Sequence, residues 1–304
     1  MTENTENAHR SGFVAIIGKP NVGKSTLLNQ VVGEKIAITT RKPQTTRDRI
    51  LGIRTVDGTQ FIFIDTPGIH QARSTLNRYM VKAAVRTLDE GDVVLFLVEA
   101  PGGIDEDDRT ILGLLKNITT PVFLVINKID LAPRETLLPL IDGMKDLYPF
   151  REIFPVSAKT GFNTDRLLDV LRRYLPEGPP LYPEDMITDR TERFIAAEIV
   201  REKITLLLRQ EIPYQVAVAI DGFREDPKKD LIVIQATIHT ARDSQKGILI
   251  GRGGRMLKEI GKQARLEMED FFGKRVFLEL FVRVTRDWPE DERMLRELGY
   301  GETT

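Results

Sequence analysis

The chain has no cysteine. That absence excludes a disulfide framework, an iron–sulfur cluster and a thiol nucleophile, and it accords with a reducing compartment. Its three histidines, His9, His70 and His239, are too scattered to build a zinc site alone. An excess of either charge is missing too: 44 Lys and Arg against 45 Asp and Glu leave a formal charge of −1, so any basic surface must be local. Long hydrophobic runs are also lacking. The richest, Val93 to Val98 and Pro121 to Ile126, stop at the length of a strand, short of the ~20 apolar residues a membrane helix needs. Met1 to Ser11 is polar and holds no apolar segment of a secretory signal, which makes the cytoplasm the expected compartment.

What is present suits two globular domains: 304 residues, 41% apolar and 29% charged. From Phe13 to about Leu175, apolar strand-like runs alternate with helical patterns, the order of an α/β domain with a mostly parallel sheet. Asp57-Gly58 between Ile50 to Val56 and Gln60 to Ile64 predicts one antiparallel hairpin in it. Four prolines between Pro176 and Pro183 read as a semi-rigid linker, so the expected domains are 1–180 and 181–304. The second is a smaller α+β domain in the order helix, strand, strand, helix, helix, strand, with a short charged helix in the tail.

The first chemical signal is Gly18-Lys19-Pro20-Asn21-Val22-Gly23-Lys24-Ser25, followed by Thr26: a complete phosphate loop after a strand and before a helix. Its glycines let backbone N–H groups converge on phosphate, Lys24 reaches the β and γ oxygens, and Ser25 ligates Mg²⁺. Asn127-Lys128-Ile129-Asp130 selects the base. A single carboxylate accepts both guanine N1–H and the exocyclic amine, which adenine cannot offer, so Asp130 reads guanine while Asn127 ties neighbouring loops and the Lys128 stem covers the ring. A nucleotide kinase or ATP-driven enzyme is disfavoured by the same residue. Asp65-Thr66-Pro67-Gly68 follows a strand, where Asp65 holds Mg²⁺ through water and the Gly68 N–H meets the γ-phosphate. Ser157-Ala158-Lys159 places the Ala158 N–H on guanine O6. Between loop and hairpin, Glu34 to Arg49 is polar and poorly periodic, as a switch loop must be; Thr46 is the expected metal ligand beside Ser25 and Asp65, with Thr45 its rival.

In the second domain, Ile250-Gly251-Arg252-Gly253-Gly254-Arg255, with Lys258, fits the GxxG loop of a type II KH domain. Such a loop clamps about four nucleotides of single-stranded RNA. From Ser244 to Arg286 ten basic residues face five acidic ones, the local basic surface that a near-neutral chain needs for RNA. Trp288 before Pro289 is expected to anchor the tail.

In this order the motifs GKPNVGKS, QTTRD, DTPG, NKID and SAK, with the GxxG segment, resemble the Era family of bacterial GTPases from about Phe13 to Tyr300. The resemblance implies a Ras-like P-loop GTPase fold with a KH domain, hydrolysis of GTP to GDP, and binding near the 3′ end of 16S ribosomal RNA in maturation of the 30S subunit. Some relatives are held to touch the membrane, so peripheral contact with its cytoplasmic face is left open by the resemblance, and the sequence does not decide it. A monomer is the default state. Ile69 stands where Ras-type enzymes carry a water-orienting glutamine, and His70 beside it reads as a solvated side chain rather than a base. Asn21, as in similar GTPases, is implied to hold a K⁺ ion against the phosphates, which makes Asn21, Lys24, Thr46 and Gly68 the expected catalytic set. The alternative is a scaffold that binds GTP and RNA with negligible turnover.

Overall fold

The computed structural model describes residues 9–40, 42, 45–69, 75–208, 212–298 and 300, and these divide into two compact units. The first unit takes its elements in the order β1 (Arg10–Ile17), α1 (Lys24–Val32), β2 (Ile50–Val56), β3 (Thr59–Asp65), α2 (Thr75–Arg86, whose first turns fall in the second unit), β4 (Val93–Glu99), α3 (Glu106–Leu115), β5 (Val122–Asn127), α4 (Arg134–Lys145), β6 (Glu152–Pro155) and α5 (Thr164–Arg172). Strand order is β2-β3-β1-β4-β5-β6, with every neighbouring pair parallel except β2 and β3. β1, β4 and β5 are continuous apolar runs because helices cover both faces of a parallel sheet; Val14–Ile17, Val93–Val98 and Phe123–Ile126 are wholly buried. Asp57 (φ 47°) and Gly58 (φ 69°) make the two-residue left-handed turn that joins the one antiparallel pair. β1 lies between β3 and β4, so chain connections diverge on either side of it, and the crevice beyond its carboxyl end is where such sheets bind ligands.

The proline-rich stretch expected as a linker is packed against the first unit. Gln60 accepts the N–H groups of Leu181 and Tyr182 on Oε1 (2.8 and 2.9 Å) and donates from Nε2 to the Tyr182 carbonyl (2.8 Å), while the Ile53 N–H bonds the Ile187 carbonyl (2.9 Å). A buried amide supplies the partners that a proline chain cannot find along itself. These residues accordingly belong to the first compact unit, which runs to Asp189.

The second unit holds α6 (Glu192–Leu207), β7 (Val216–Asp226), β8 (Leu231–Thr240), α7 (Asp243–Ile250), α8 (Arg255–Phe272), β9 (Arg275–Val284) and α9 (Glu292–Glu297). Its sheet runs β7-β8-β9, with the first pair antiparallel and the second parallel. One face of that sheet meets Ile195, Val200, Ile204, Ile260, Ala264 and Met268 of the helices, through Ile234, Ala236 and Ile238 of β8. The sequence suggests a strand from Gln215 to Gly222, but β7 continues past that glycine: the register shifts between Ile220 and Gly222, Asp221 is the extra residue of a bulge, and Gly222 pairs with Gln235. Residues 38–45 also belong here: Arg201 donates to the Thr45 carbonyl (2.5 Å) and the Thr39 N–H to Glu202 Oε1 (2.9 Å), which accounts for two charged side chains buried in α6. Trp288 is fully buried, donates Nε1–H to the Gln215 carbonyl (3.1 Å) and stacks on Tyr300, so it anchors the tail as expected.

Candidate functional site

The residues from Gly18 to Ser25 leave the carboxyl end of β1 and enter α1. Gly23 sits at φ 100°, and a Cβ there would lie 2.3 Å from Asn127 Nδ2, so no other residue fits between the loop and β5. Asn127 fills that gap: its Nδ2 donates to the Val22 carbonyl (2.8 Å) and its Oδ1 accepts from the Ala158 N–H (2.9 Å). One buried amide thereby stitches the phosphate loop to the segment Ser157 to Lys159, the tying role expected of it. The Ala158 N–H, expected on guanine O6, is spent on Asn127 here, as a buried donor must be when it finds an acceptor. Asp130 is exposed and is oriented by the Ser157 hydroxyl, which donates to its Oδ1 (2.7 Å). Lys128 adopts φ 61°, rare for a side chain with a Cβ, and its Nζ pairs with Glu99 Oε2 (2.5 Å). Lys159 is exposed beside them.

At the phosphate end, Lys24 is buried and its Nζ donates to the carbonyls of Gly18 (3.0 Å) and Lys19 (2.9 Å). The side chain of Lys19 turns the other way, onto Asp105 (2.6 Å) and Asp108 (2.8 Å). Those two carboxylates form the capping box at the start of α3, so Lys19 offers main chain to a nucleotide while its ammonium braces the loop. No local pattern marks this, because the partners lie 86 and 89 residues downstream. Asn21, exposed at φ 67°, and Pro20 complete the loop, and Thr26 lies in the first turn of α1. A Cβ on Gly68 would fall 2.6 Å from the Pro20 nitrogen, so only glycine lets Asp65-Thr66-Pro67-Gly68 pack directly on the loop; the Thr66 hydroxyl pins that segment to the Ile16 carbonyl (2.9 Å). Ile69 is buried among Ala15, Ile17 and Phe96, which places it in the core and away from any water it might orient. His70 lies outside the described residues, as do Arg41, Pro43 and Gln44 of the switch segment.

Three hard oxygens meet at the expected metal position. The Ser25 hydroxyl donates to Asp65 Oδ2 (2.7 Å) and lies 2.7 Å from Thr46 Oγ1. Thr45, the rival, turns its hydroxyl to Thr40 (2.7 Å) and the Lys42 carbonyl (2.8 Å) instead. Asp65 Oδ1 is buried with no hydrogen-bond partner, an acceptor that an ion or its water would satisfy. Hydroxyl, hydroxyl and carboxylate suit Mg²⁺, which prefers oxygen donors and keeps several waters. Burial pushes the Asp65 carboxyl up to about 6, although the Lys24 ammonium pulls the other way, and burial lowers Lys24 to about 8. Asp65 is therefore ionised above about pH 6 and neutral below it. We expect the Mg²⁺ enhancement of GDP binding to the nucleotide-free protein to fade as pH falls from about 7 to about 5. Titration of Mg²⁺ against a fluorescent GDP analogue checks it, and an enhancement independent of pH would remove Asp65 from the metal site.

In the second unit, α7 ends at Ile250 and α8 starts at Arg255, with Gly251 to Gly254 between them. Gly251, Gly253 and Gly254 all have positive φ (70°, 61° and 76°), and Arg252, Arg255 and Lys258 are exposed around them. Beside this loop lies a groove of about 450 Å³ walled by Leu257, Lys258, Lys262 and Arg265 of α8 and floored by Leu278 and Leu280 of β9. Lys262 and Arg265 are among the ten basic residues counted in the sequence, and alternation in β9 puts both leucines on one face; that the four share one groove takes the fold to see. The groove pairs an apolar floor with a basic wall, the chemistry of a single-stranded nucleic-acid clamp.

Comparison with known proteins gives the same division. A family model described as a 50S ribosome-binding GTPase matches residues 13–128, and one for the KH domain matches 211–289. The chain is 57% identical to GTPase Era of Syntrophus aciditrophicus over 96% of both chains, and 57% identical to GTPase Era of Geobacter metallireducens over 97% of this chain and 99% of the relative. Among solved structures it superposes on Era in complex with MgGDPNP and nucleotides 1506–1542 of 16S ribosomal RNA at a TM-score of 0.93, with 44% identity across 97% of this chain and all of that one. A single-substitution variant of Aquifex aeolicus Era bound to GDP and aluminium fluoride superposes equally well, at 0.93 and 45% identity, across 96% of this chain and all of that one.

Proposed function

Because the chain belongs to the Era family of GTPases, we propose that it binds single-stranded RNA at the 3′ end of 16S ribosomal RNA through its GxxG groove, and that it acts in assembly and maturation of the 30S subunit. It hydrolyses GTP to GDP and phosphate with guanine nucleotide and Mg²⁺ as its ligands, and the crevice beyond β1 is our reading of where they bind. That class of relative sets aside the scaffold alternative. The observation that carries the RNA reading is the basic-walled, apolar-floored groove beside three left-handed glycines, present in the same chain as a guanine site. Anisotropy of a labelled 16S 3′-end fragment at fixed salt tests it; affinity no greater than for a scrambled RNA of equal length would reject the assignment.

Within the GTP site, Lys24 and the Gly68 N–H would meet the terminal phosphates, while Ser25 and Thr46 would ligate Mg²⁺ and Asp65 would hold it through water; the ion would supply positive charge against the phosphate oxygens. Since the Ile69 side chain is buried and has no hydrogen bond to give, positive charge rather than a water-orienting amide has to supply the missing stabilisation. Asn21 is exposed within the phosphate loop, and K⁺ held there is our reading of that source. KCl should support faster turnover than NaCl at equal ionic strength, by about fivefold or more. Asn21→Ala should erase the difference while leaving GDP affinity within about threefold. Equal rates of phosphate release in the two salts for the parent would sink the idea. A monomer in the cytoplasm completes the reading. Among the described residues no helix is long and apolar enough to cross a membrane.

A further inference from the structure

A second cavity, of about 530 Å³, lies in the second unit. It is lined by Lys246 and Asp243 of α7, Thr237 of β8, and residues 281–284 of β9, including Phe281 and Arg283. Phe281 is 54% exposed, an expensive placement for a phenylalanine unless something covers it. Arg283 is exposed and Lys246 half-buried, so two cations line the cavity together with the ring. The acidic neighbours are already engaged: Asp243 faces Arg286 at 3.7 Å, and Asp221 accepts the Thr237 hydroxyl at 2.6 Å.

β9 connects this cavity to the GxxG groove. Leu278 and Leu280 floor the groove, and the next four residues of the same strand line the second cavity. At about 3.3 Å per residue, Leu280 and Arg283 lie about 10 Å apart along the strand but on its opposite faces; β9 is the edge strand of the sheet, so one extended RNA chain reaches both by crossing that edge. A flat apolar ring flanked by cations suits a base with its phosphates, because every base has a face that stacks and the phosphate charge is met alongside. A docked protein helix would need several apolar anchors in helical spacing, whereas the residues alternating with the core side of β9 are Phe277, Glu279, Phe281 and Arg283, a mixed row.

We propose that this cavity is a separate nucleotide subsite that takes single-stranded RNA beyond the segment held at the GxxG loop, with Phe281 stacking on a base and Arg283 and Lys246 meeting phosphate. The proposal rests on the GxxG reading, and the test separates the two. Labelled fragments of the 16S 3′ end, four and about eight nucleotides long, are titrated by anisotropy against the full chain. The parent should bind the longer fragment about fivefold or more tighter. Phe281→Ala and Arg283→Ala should lose that increment yet hold the four-nucleotide fragment within about twofold, Phe281→Trp should keep the increment, and thermal melts should match the parent. Arg252→Asp with Gly253→Asp should weaken both fragments; if it weakens neither, the GxxG reading fails first. If the short fragment depends on the GxxG loop but the increment is absent, or survives in Phe281→Ala and Arg283→Ala, the subsite is overturned. Equal loss on both fragments in Phe281→Ala would merge the cavity with the groove and also overturn it. Loss of binding to phosphatidylglycerol vesicles, with RNA affinity intact, would reassign the cavity to a lipid surface.

Discussion

Asp130→Asn is expected to lose GTP by on the order of a hundredfold or more and to gain xanthosine triphosphate. A carboxylate accepts the guanine N1–H and the exocyclic amine together, each a charge-assisted bond worth about 1.5–3 kcal/mol. An amide can accept one of them but turns a donor toward the other. Xanthine carries an oxygen where guanine carries the amine, so the amide pairs with it. The side chain is well placed for a clean experiment: Asp130 is exposed, its own contact is the Ser157 hydroxyl at 2.7 Å, and that hydroxyl can donate to an amide oxygen equally well. The fold should be indifferent, with a thermal melt within a degree or two of the parent. Competition of GTP and xanthosine triphosphate against a fluorescent GDP analogue reads the switch. Unchanged GTP affinity would remove Asp130 from base recognition and leave only the Asn127 stitch in that corner of the site.

How far the sequence leads depends on whether a property is local. The strands of the first unit are legible because burial on both faces demands unbroken apolar runs, and Val93–Val98 can be nothing else. The Asp57-Gly58 turn is legible because only a few residue pairs tolerate two successive left-handed conformations. The phosphate loop, Asn127, the Ser25–Asp65–Thr46 cluster and the GxxG turn are legible for a related reason: each demands particular residue types at fixed spacing. The choice of Thr46 over Thr45 beside Ser25 is not in the spacing. It is made by the Thr40 and Lys42 contacts of Thr45, which depend on how the segment folds.

The misses share one character, pairing across long stretches of chain. Nothing near Lys19 announces that its ammonium closes the capping box of α3, and a lysine in a phosphate loop reads first as a nucleotide ligand. The prolines after Pro176 look like a free linker until Gln60, 121 residues earlier than Leu181, is seen to take their neighbours' N–H groups. Gly222 looks like a strand end because a bulge and a stop leave the same local mark. Phe281 appears in the sequence only as an outward position of an alternating strand, and its exposure beside Arg283 takes the folded sheet to see.

Replacing Arg252 and Gly253 together by aspartate should weaken RNA binding at least tenfold while GTP hydrolysis and the fold persist. Both positions are exposed at the tip between α7 and α8, so the substitution sets two negative charges where phosphates would approach. Each lost charge-assisted contact is worth about 1.5–3 kcal/mol, and one alone would account for a tenfold change. Space does not oppose the variant: a Cβ on Gly253 would meet nothing within 4 Å. Conformation opposes it only mildly, since Asp is among the non-glycine residues that best tolerate the φ of 61° found there. Gly251 would make a poorer test, because a Cβ on it would press to 2.8 Å of the Met256 Cβ and confuse lost binding with a displaced helix. The salt dependence adds a second reading, for a variant that has given up phosphate contacts should show a shallower fall of affinity with salt. Anisotropy with the 16S 3′-end fragment over a salt series, phosphate release from GTP and a thermal melt complete the measurement. A folded double variant that binds the fragment as tightly as the parent, with the same salt slope, would take the GxxG loop out of RNA recognition and leave the basic wall of α8, Lys258, Lys262 and Arg265, to carry it unaided.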